Sequence, residues 1–456
     1  MADTIDVTRI IDEQKLGRFH ILLLILTFLT VLVDGYDIGA VAFAAPALVK
    51  EWHLQRAQLG PLFGAGLFAG LFGPLVLGYI ADRFGRKSSI VGALWFFGVF
   101  TLASVWATSL EQMIVLRFIA GLGIAGVLPL VTALNNEYAP RRLRATMFVL
   151  MFCGITFGGG LPGLVAARFM ATEGWQILFW IGGLVPIAVG ILLIFLLPES
   201  AKFLALRPER HVELARLLRR LDSRLIIPAD ARFVLRGEQD RTRFAFKSLF
   251  AGRLALVTPL FWIVNAINLM IFYFVNQWMP TLLSNAGIST EHAAIATTLF
   301  QFGGTAGGLI LMRPLDKWGF IAVPILFALA IPVIACIGLP GLPEAAVLLL
   351  VTAAGFCLLG LQFGNISSEG NVYPTAIRSF GVGSCFAAGR VGAVVGPVIG
   401  GILIGMQVSL EELFFIAAIP LFIGLIAAAI LTPIYRAHYH PNRATAPALG
   451  EAAAET

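Results

Sequence analysis

Two aspartates three residues apart, Asp34 and Asp37, lie inside an otherwise apolar run, FLTVLVDGYDIGAVAFAAPAL, from Phe28 to Leu48. A carboxylate at bilayer depth costs roughly 2.5–3.5 kcal/mol on insertion scales, so such residues face water-filled cavities and carry function. A carboxyl group in a desolvated setting can load and release a proton. Asp34, Asp37 and Glu369 are the titratable acids at depth, with Glu137 at one membrane edge, and none of the six histidines is at mid-span. Proton coupling through carboxylates is therefore the expected chemistry, and a histidine relay is not. The competing reading is that the two aspartates only hold helices together through polar contacts.

Two cations stand at comparable depth. At 1.5 Å per residue, Asp34 lies about 22 Å above a span start near Phe19, and Arg117 about 9 Å below a start near Glu111 on the other face. In a core about 30 Å thick these depths coincide. An ion pair of Asp34 or Asp37 with Arg117, loosened by protonation, is the expectation; the alternative is a charge neutralised for folding alone. Arg390 is near mid-depth in Gly389-Arg390-Val-Gly392-Ala-Val-Val-Gly396-Pro397-Val-Ile-Gly400-Gly401, whose small residues allow close helix approach. A planar guanidinium in an aqueous cavity is suited to grip a carboxylate with two parallel hydrogen bonds. Its alternative role is a bridge to Glu369. Aromatic and amide residues cluster near these charges, and a ring-bearing anion would suit them, stacking on rings while amides read its substituents. Tyr36, Asn268, Tyr273, Gln301 and Asn365 are the expected lining residues beside Arg390.

The elements that must position these groups follow from composition. With 456 residues, 58% hydrophobic and 13% charged, the chain carries more apolar surface than a soluble core can hide. Apolar runs of spanning length fall near 19–44, 58–80, 88–107, 111–135, 145–168, 176–197, 254–283, 291–312, 319–340, 344–368, 378–405 and 411–435. The expected fold is all-α and polytopic, with twelve transmembrane helices. Of the 32 Lys and Arg residues, 27 lie on one side of this topology, which predicts cytoplasmic termini. The net charge of +6 reflects that topology and not nucleic-acid binding. The first 18 residues mix acids with bases and show no cleavage site, against a removed signal peptide. Four cysteines without CxxC spacing imply neither a metal nor a disulfide, and no cofactor is expected.

The chain also repeats. Asp82-Arg83-Phe84-Gly85-Arg86-Lys87 follows the second span and Asp316-Lys317-Trp318-Gly319 the eighth, and both read acid, base, aromatic, glycine. Tyr138-Ala-Pro140 precedes Arg144 as Tyr373-Pro374 precedes Arg378. The spacing is 234 residues in both cases, from 82 to 316 and from 144 to 378. The division is a 1–18 arm, a six-helix half over 19–197, a linker over 198–253 with an amphipathic run from Val212 to Leu221, a second half over 254–435 and a 436–456 tail. Two halves of like orientation fit parallel repeats about an axis along the membrane normal. This resembles the major facilitator superfamily, and Gly78 to Lys87 resembles its best-known signature. An acid facing bases across the inner surface forms charge-assisted bonds when that face closes. Asp82, Arg83, Arg86, Asp316 and Lys317 are thus expected to gate.

A narrower resemblance rests on Asp34-Gly-Tyr-Asp37, Arg117-Phe-Ile-Ala-Gly121-Leu-Gly123, Glu137-Tyr-Ala-Pro140, Met151-Phe-Cys-Gly154, Phe272-Tyr-Phe with Trp278-Met-Pro280, and Tyr373-Pro374-Thr-Ala-Ile-Arg378. Together these look like the aromatic acid:proton symporters, over about Phe19 to Pro433. The resemblance implies uptake of benzoate-like anions across a bacterial inner membrane, with essential acids at Asp34, Asp37 and Asp82. Ser367-Ser368-Glu369-Gly370-Asn371 departs from that family's small apolar residues, leaving Glu369 to read a hydroxyl, hold a proton or bridge to Arg390. Another organic acid or a sugar stays open as substrate. A drug/proton antiporter or a receptor for aromatic acids are further alternatives; an enzyme is not expected, since no metal-ligand cluster or nucleophile pair is present.

Overall fold

The computed structural model describes residues 4–221, 225, 227, 228, 232–234, 246–285, 287–373 and 377–438. Among them, eleven helices are long and apolar enough to cross a bilayer: Arg18–Glu51, Arg56–Phe84, Arg86–Trp106, Leu110–Tyr138, Thr146–Glu173, Gln176–Leu196, Leu254–Ser284, Glu291–Leu311, Glu344–Gly370, Phe380–Gly405 and Leu410–Ala437. The ninth span is the shorter apolar helix Ala322–Ile337. It completes the expected set of twelve. The first helix runs past Pro46 to Glu51, beyond the apolar run that marks it in sequence.

Prolines shape two spans at mid-depth. The second is interrupted between Ala69 and Gly73, one residue before Pro74, and the fourth between Ile124 and Val127, two before Pro129. Proline lacks the N–H that would continue the helical ladder and is tolerated in a first turn, so each helix breaks and restarts there. The second span then turns at Gly85, whose φ of 100° favours glycine, and the Glu199 carboxylate fills the space a side chain would need.

Helix packing repeats with the sequence. Gly158 of the fifth span lies against the backbone of Leu32, and Gly392 of the eleventh against Ala266. Gly121 of the fourth lies against Gly66, and Gly355 of the tenth against Phe300. Each second-half residue in these contacts stands 234 positions after its first-half counterpart. Gly158→Ala is therefore expected to overlap the Leu32 carbonyl and destabilise by about 1–3 kcal/mol or more. Gly78→Ala, with nothing within 4 Å of its Cβ, is expected to leave stability unchanged. Thermal unfolding of the two purified variants checks the contrast.

The halves meet unevenly along their length. Residues 57–64 of the second span pack on 394–405 of the eleventh, and 156–163 of the fifth on 294–305 of the eighth. These contacts lie toward the end opposite the basic turns. Near the basic end, Gly78 and Gly383 would each accept a Cβ without touching anything, and Asp82 is exposed.

At the basic end, the arm and linker dock on the first half. Strand Thr4–Asp6 pairs in parallel with Arg232–Val234. Val7 and Ile11 of helix Val7–Asp12 share a core with Leu214, Leu217 and Leu218 of helix His211–Leu221. That second helix follows the amphipathic run seen in sequence, its leucines buried on one face. Asp12 pairs with Arg144 at 2.8 Å, and Arg207 donates to the Arg83 carbonyl at 2.6 Å.

Candidate functional site

The first span places Asp34 and Asp37 near its middle, where packing against the fifth span leaves them beside the second, fourth and eleventh. Arg117 donates to Asp37 through Nη1 at 2.7 Å, and through Nη2 to Thr101 and Ser104 of the third span at 3.0 Å each. Its guanidinium also lies over the Phe179 ring, 5.1 Å from the centroid. A buried ion pair repays its desolvation only when further hydrogen bonds satisfy its remaining protons. Thr101, Ser104 and Phe179 supply part of that surrounding, Nε having no partner among the described residues, and nothing in their spacing marked them in sequence.

Arg390 contrasts with Arg117. It reaches the break in the second span, where the missing side chain of Gly70 clears its path: a Cβ there would lie 3.1 Å from Nη1. Among the described residues its guanidinium makes no hydrogen bond or ion pair. The alternative bridge to Glu369 is not formed. Glu369 is buried between the seventh and tenth spans and accepts from Asn265 at 2.6 Å, its second oxygen without a partner among the described residues.

Two adjoining cavities share Asp34, Ile38 and Arg390. One continues past Asp37, Arg117 and Gln277. The other is walled by Phe152, Phe272, Tyr273, Asn268, Gln301, Gln362 and Phe386. Five pairs in its wall are 234 residues apart: Asp34 with Asn268, Gly35 with Leu269, Ile38 with Phe272, Leu128 with Gln362, and Phe152 with Phe386. The two halves thus contribute equivalent positions around a common axis, the location expected for a substrate site in such repeats.

Not every expected lining residue is there. Arg390, Asn268, Tyr273 and Gln301 are in the wall, but Tyr36 turns toward the sixth span, donating to the Leu178 carbonyl at 3.3 Å. Asn365 is fully buried outside both cavities, with neither amide atom partnered among the described residues. Gln277 and Gln362, by contrast, reach the cavities.

The expected gate residues are dispersed. The Asp82 carboxylate has no partner among the described residues, and Arg83 is exposed. Arg86 pairs with Glu137, which also accepts from Ser200 at 2.6 Å. The Glu199 carboxylate gathers the backbone N–H groups of Arg86, Lys87 and Ser200 at 2.8, 3.1 and 2.8 Å. Glu199 and Ser200 stand at the very start of the 198–253 linker. The side chains of Asp316 and Lys317 lie outside the described part of the structure.

Twelve apolar helices in repeated halves around a charged central cavity define a membrane transporter, not an enzyme. The chain belongs to the Major Facilitator Superfamily, whose pattern matches residues 27–369. It is 35% identical to the 4-hydroxybenzoate transporter PcaK of Pseudomonas aeruginosa, over 94% of this chain and 96% of that one. It is also 35% identical to a gallate transporter of Pseudomonas putida, over 93% and 94%. The fold matches the inward-open xylose transporter XylE from E. coli with a TM-score of 0.68 at 16% identity, covering 90% of this chain and 95% of that one. The resemblance carried by Asp34-Gly-Tyr-Asp37 and its companion segments thus extends over nearly the whole chain.

Proposed function

We propose that this protein takes up an aromatic carboxylate, such as a hydroxybenzoate, together with protons across a bacterial inner membrane by alternating access, with both termini cytoplasmic. The observation that carries the reading is the unpartnered Arg390 guanidinium beside Asp34, in a ring-lined cavity that adjoins the Asp37–Arg117 pair. The aromatic-acid transporters among its relatives support the substrate class, and the basic turns support the orientation.

In this reading Arg390 grips the substrate carboxylate, assisted by the Tyr273 hydroxyl, while Asn268 and Gln301 hold the ring's far side. An ionised Asp34 competes with that carboxylate for Arg390. Protonating Asp34 removes the competition, so proton and anion bind together. Protonating Asp37 releases Arg117 to its hydroxyl partners Thr101 and Ser104 and loosens the contact between the first and fourth spans. Glu369 is a further proton site in the second half. Asp82, Arg83, Arg86, Asp316 and Lys317 form the gate that closes the basic end in the opposite state.

An anion entering alone against a negative interior costs about 2.3 kcal/mol per 100 mV; one proton makes entry neutral, and a second draws on the potential. Uptake of labelled 4-hydroxybenzoate into proteoliposomes under an inward proton gradient is the test. Gradient-dependent accumulation is expected. Equal entry with and without the gradient would remove proton coupling, and no entry by correctly inserted protein would remove this substrate.

A further inference from the structure

Toward the basic end, the seventh and tenth spans meet through amides and one acid. Asn268 Nδ2 donates to Gln362 Oε1 at 2.9 Å, and both residues line the cavity shared with Asp34 and Arg390. Asn265, one turn nearer the basic end, donates to Glu369 Oε1 at 2.6 Å. Gln362, Asn365 and Glu369 stand at i, i+3 and i+7 on one face of the tenth span, which places Asn365 between the two bonded pairs. Gln362 and Glu369 are about 10 Å apart along the helix, and the span ends one residue later at Gly370.

All five residues are buried, and their hydrogen bonding is incomplete. Asn268 Oδ1, both amide atoms of Asn365 and Glu369 Oε2 have no partner among the described residues. Orphaned polar atoms so close together are costly when dry, and buried waters with about three hydrogen bonds each are what satisfies such groups. Among the described residues no cation pairs with Glu369; the titratable groups beside it are the Tyr373 hydroxyl and the Cys385 thiol, 3.5 Å from each other. The first half has Val31, Val131 and Asn135 where the second has Asn265, Asn365 and Glu369, so the acid belongs to the second half alone.

We propose that these residues hold a file of waters through which Asp34 passes its proton to Glu369, and Glu369 passes it to the water at the basic end. This rests on proton coupling through Asp34. The amides do not carry the proton; they fix the waters that do. In the transfer the Asp34 O–H bond breaks, each water accepts one proton and gives up another, and the last proton forms the Glu369 O–H bond. Asp34 is left a carboxylate beside Arg390, where it replaces the departing substrate anion. Glu369 then releases its proton to bulk water and can accept the next.

The test uses the full chain in proteoliposomes, with labelled 4-hydroxybenzoate and a lumenal pH dye. Net uptake is compared with exchange of labelled for unlabelled substrate at equal pH, which returns the carrier loaded and needs no proton release. Proton transfer by a positioned side chain contributes about 10²–10⁴-fold in rate, so Glu369→Gln is expected to slow net uptake and its proton signal at least about tenfold while exchange is unchanged. Glu369→Asp recovers part of the rate. Asn365→Leu, which removes no titratable group, also slows net uptake and spares exchange, and it carries the same contrast if Glu369→Gln does not fold. Normal net uptake in either folded variant would overturn the proposal, as would an equal loss of net uptake and exchange, which marks a purely structural role. Entry of 4-hydroxybenzoate without protons in the unmodified protein would overturn proton coupling itself, a pattern distinct from both.

Discussion

Replacing Arg390 by alanine is expected to lower kcat/KM for aromatic-acid uptake by at least about a hundredfold, and replacing it by lysine to recover only part of that loss. Truncating one partner of a buried, hydrogen-bonded charge pair costs about 2–5 kcal/mol. In the cavity that partner is the substrate anion, and the described protein offers no second cation at that wall. Lysine keeps the charge but not the planar pair of donors that matches a carboxylate. It must also reach past Gly70, whose missing side chain fits the guanidinium. Initial rates of uptake over a range of substrate concentrations measure the effect. Near-normal kinetics in Arg390→Ala would mean that the anion binds elsewhere.

The second large effect is expected at Asp37. Asp37→Asn keeps an oxygen facing Arg117 but can no longer change charge, so accumulation driven by a proton gradient disappears while exchange of labelled for unlabelled substrate persists. An Asp37→Asn protein that still concentrates substrate at the normal level would remove this residue from coupling. Arg117 supplies a control on stability. Breaking a buried pair from one side costs about 3–5 kcal/mol, because the surviving charge is left uncompensated. Arg117→Met alone should therefore unfold at a lower temperature than Arg117→Met combined with Asp37→Asn. Equal losses in the single and double variants would show that the aspartate left behind by Arg117→Met is not an uncompensated charge.

Much of the architecture could be read from the order of residues, because lipid imposes a simple rule: long apolar runs become helices, and charges inside them need a reason. The 234-residue spacing of two turns extended to helix contacts such as Gly158 on Leu32 and Gly392 on Ala266. Which way a side chain points was harder to foresee. Successive residues on a helix are turned by about 100°, so Tyr36 lies about 200° round from Asp34 and meets the sixth span instead of the cavity. Asp37 lies about 60° from Asp34 on the other side, enough to put one acid on Arg117 and leave the other beside Arg390. Depth counting brought Arg117 level with both aspartates. The choice between them depended on Thr101 and Ser104 occupying the other edge of the guanidinium, a tertiary fact with no local sign. Asn365 lies outside both cavities for the same kind of reason: an amide on a spanning helix is as readily packed between neighbours as turned to a cavity.

The paired positions around the cavity show how the two halves have diverged. Where the first half has Asp34 the second has Asn268, where the second has Arg390 the first has Thr156, and where the first has Arg117 the second has Val351. In the proposed reading, Asp34 and Asp37, which take up protons, belong to one rocking body, and the groups that hold the organic anion belong mainly to the other. Neither ligand is then a passenger inside a single body. Each becomes part of the mortar between two bodies, so the free energy of loading is expressed as a change in how the halves adhere, and the machine can sense whether it is fully loaded only by how well they fit.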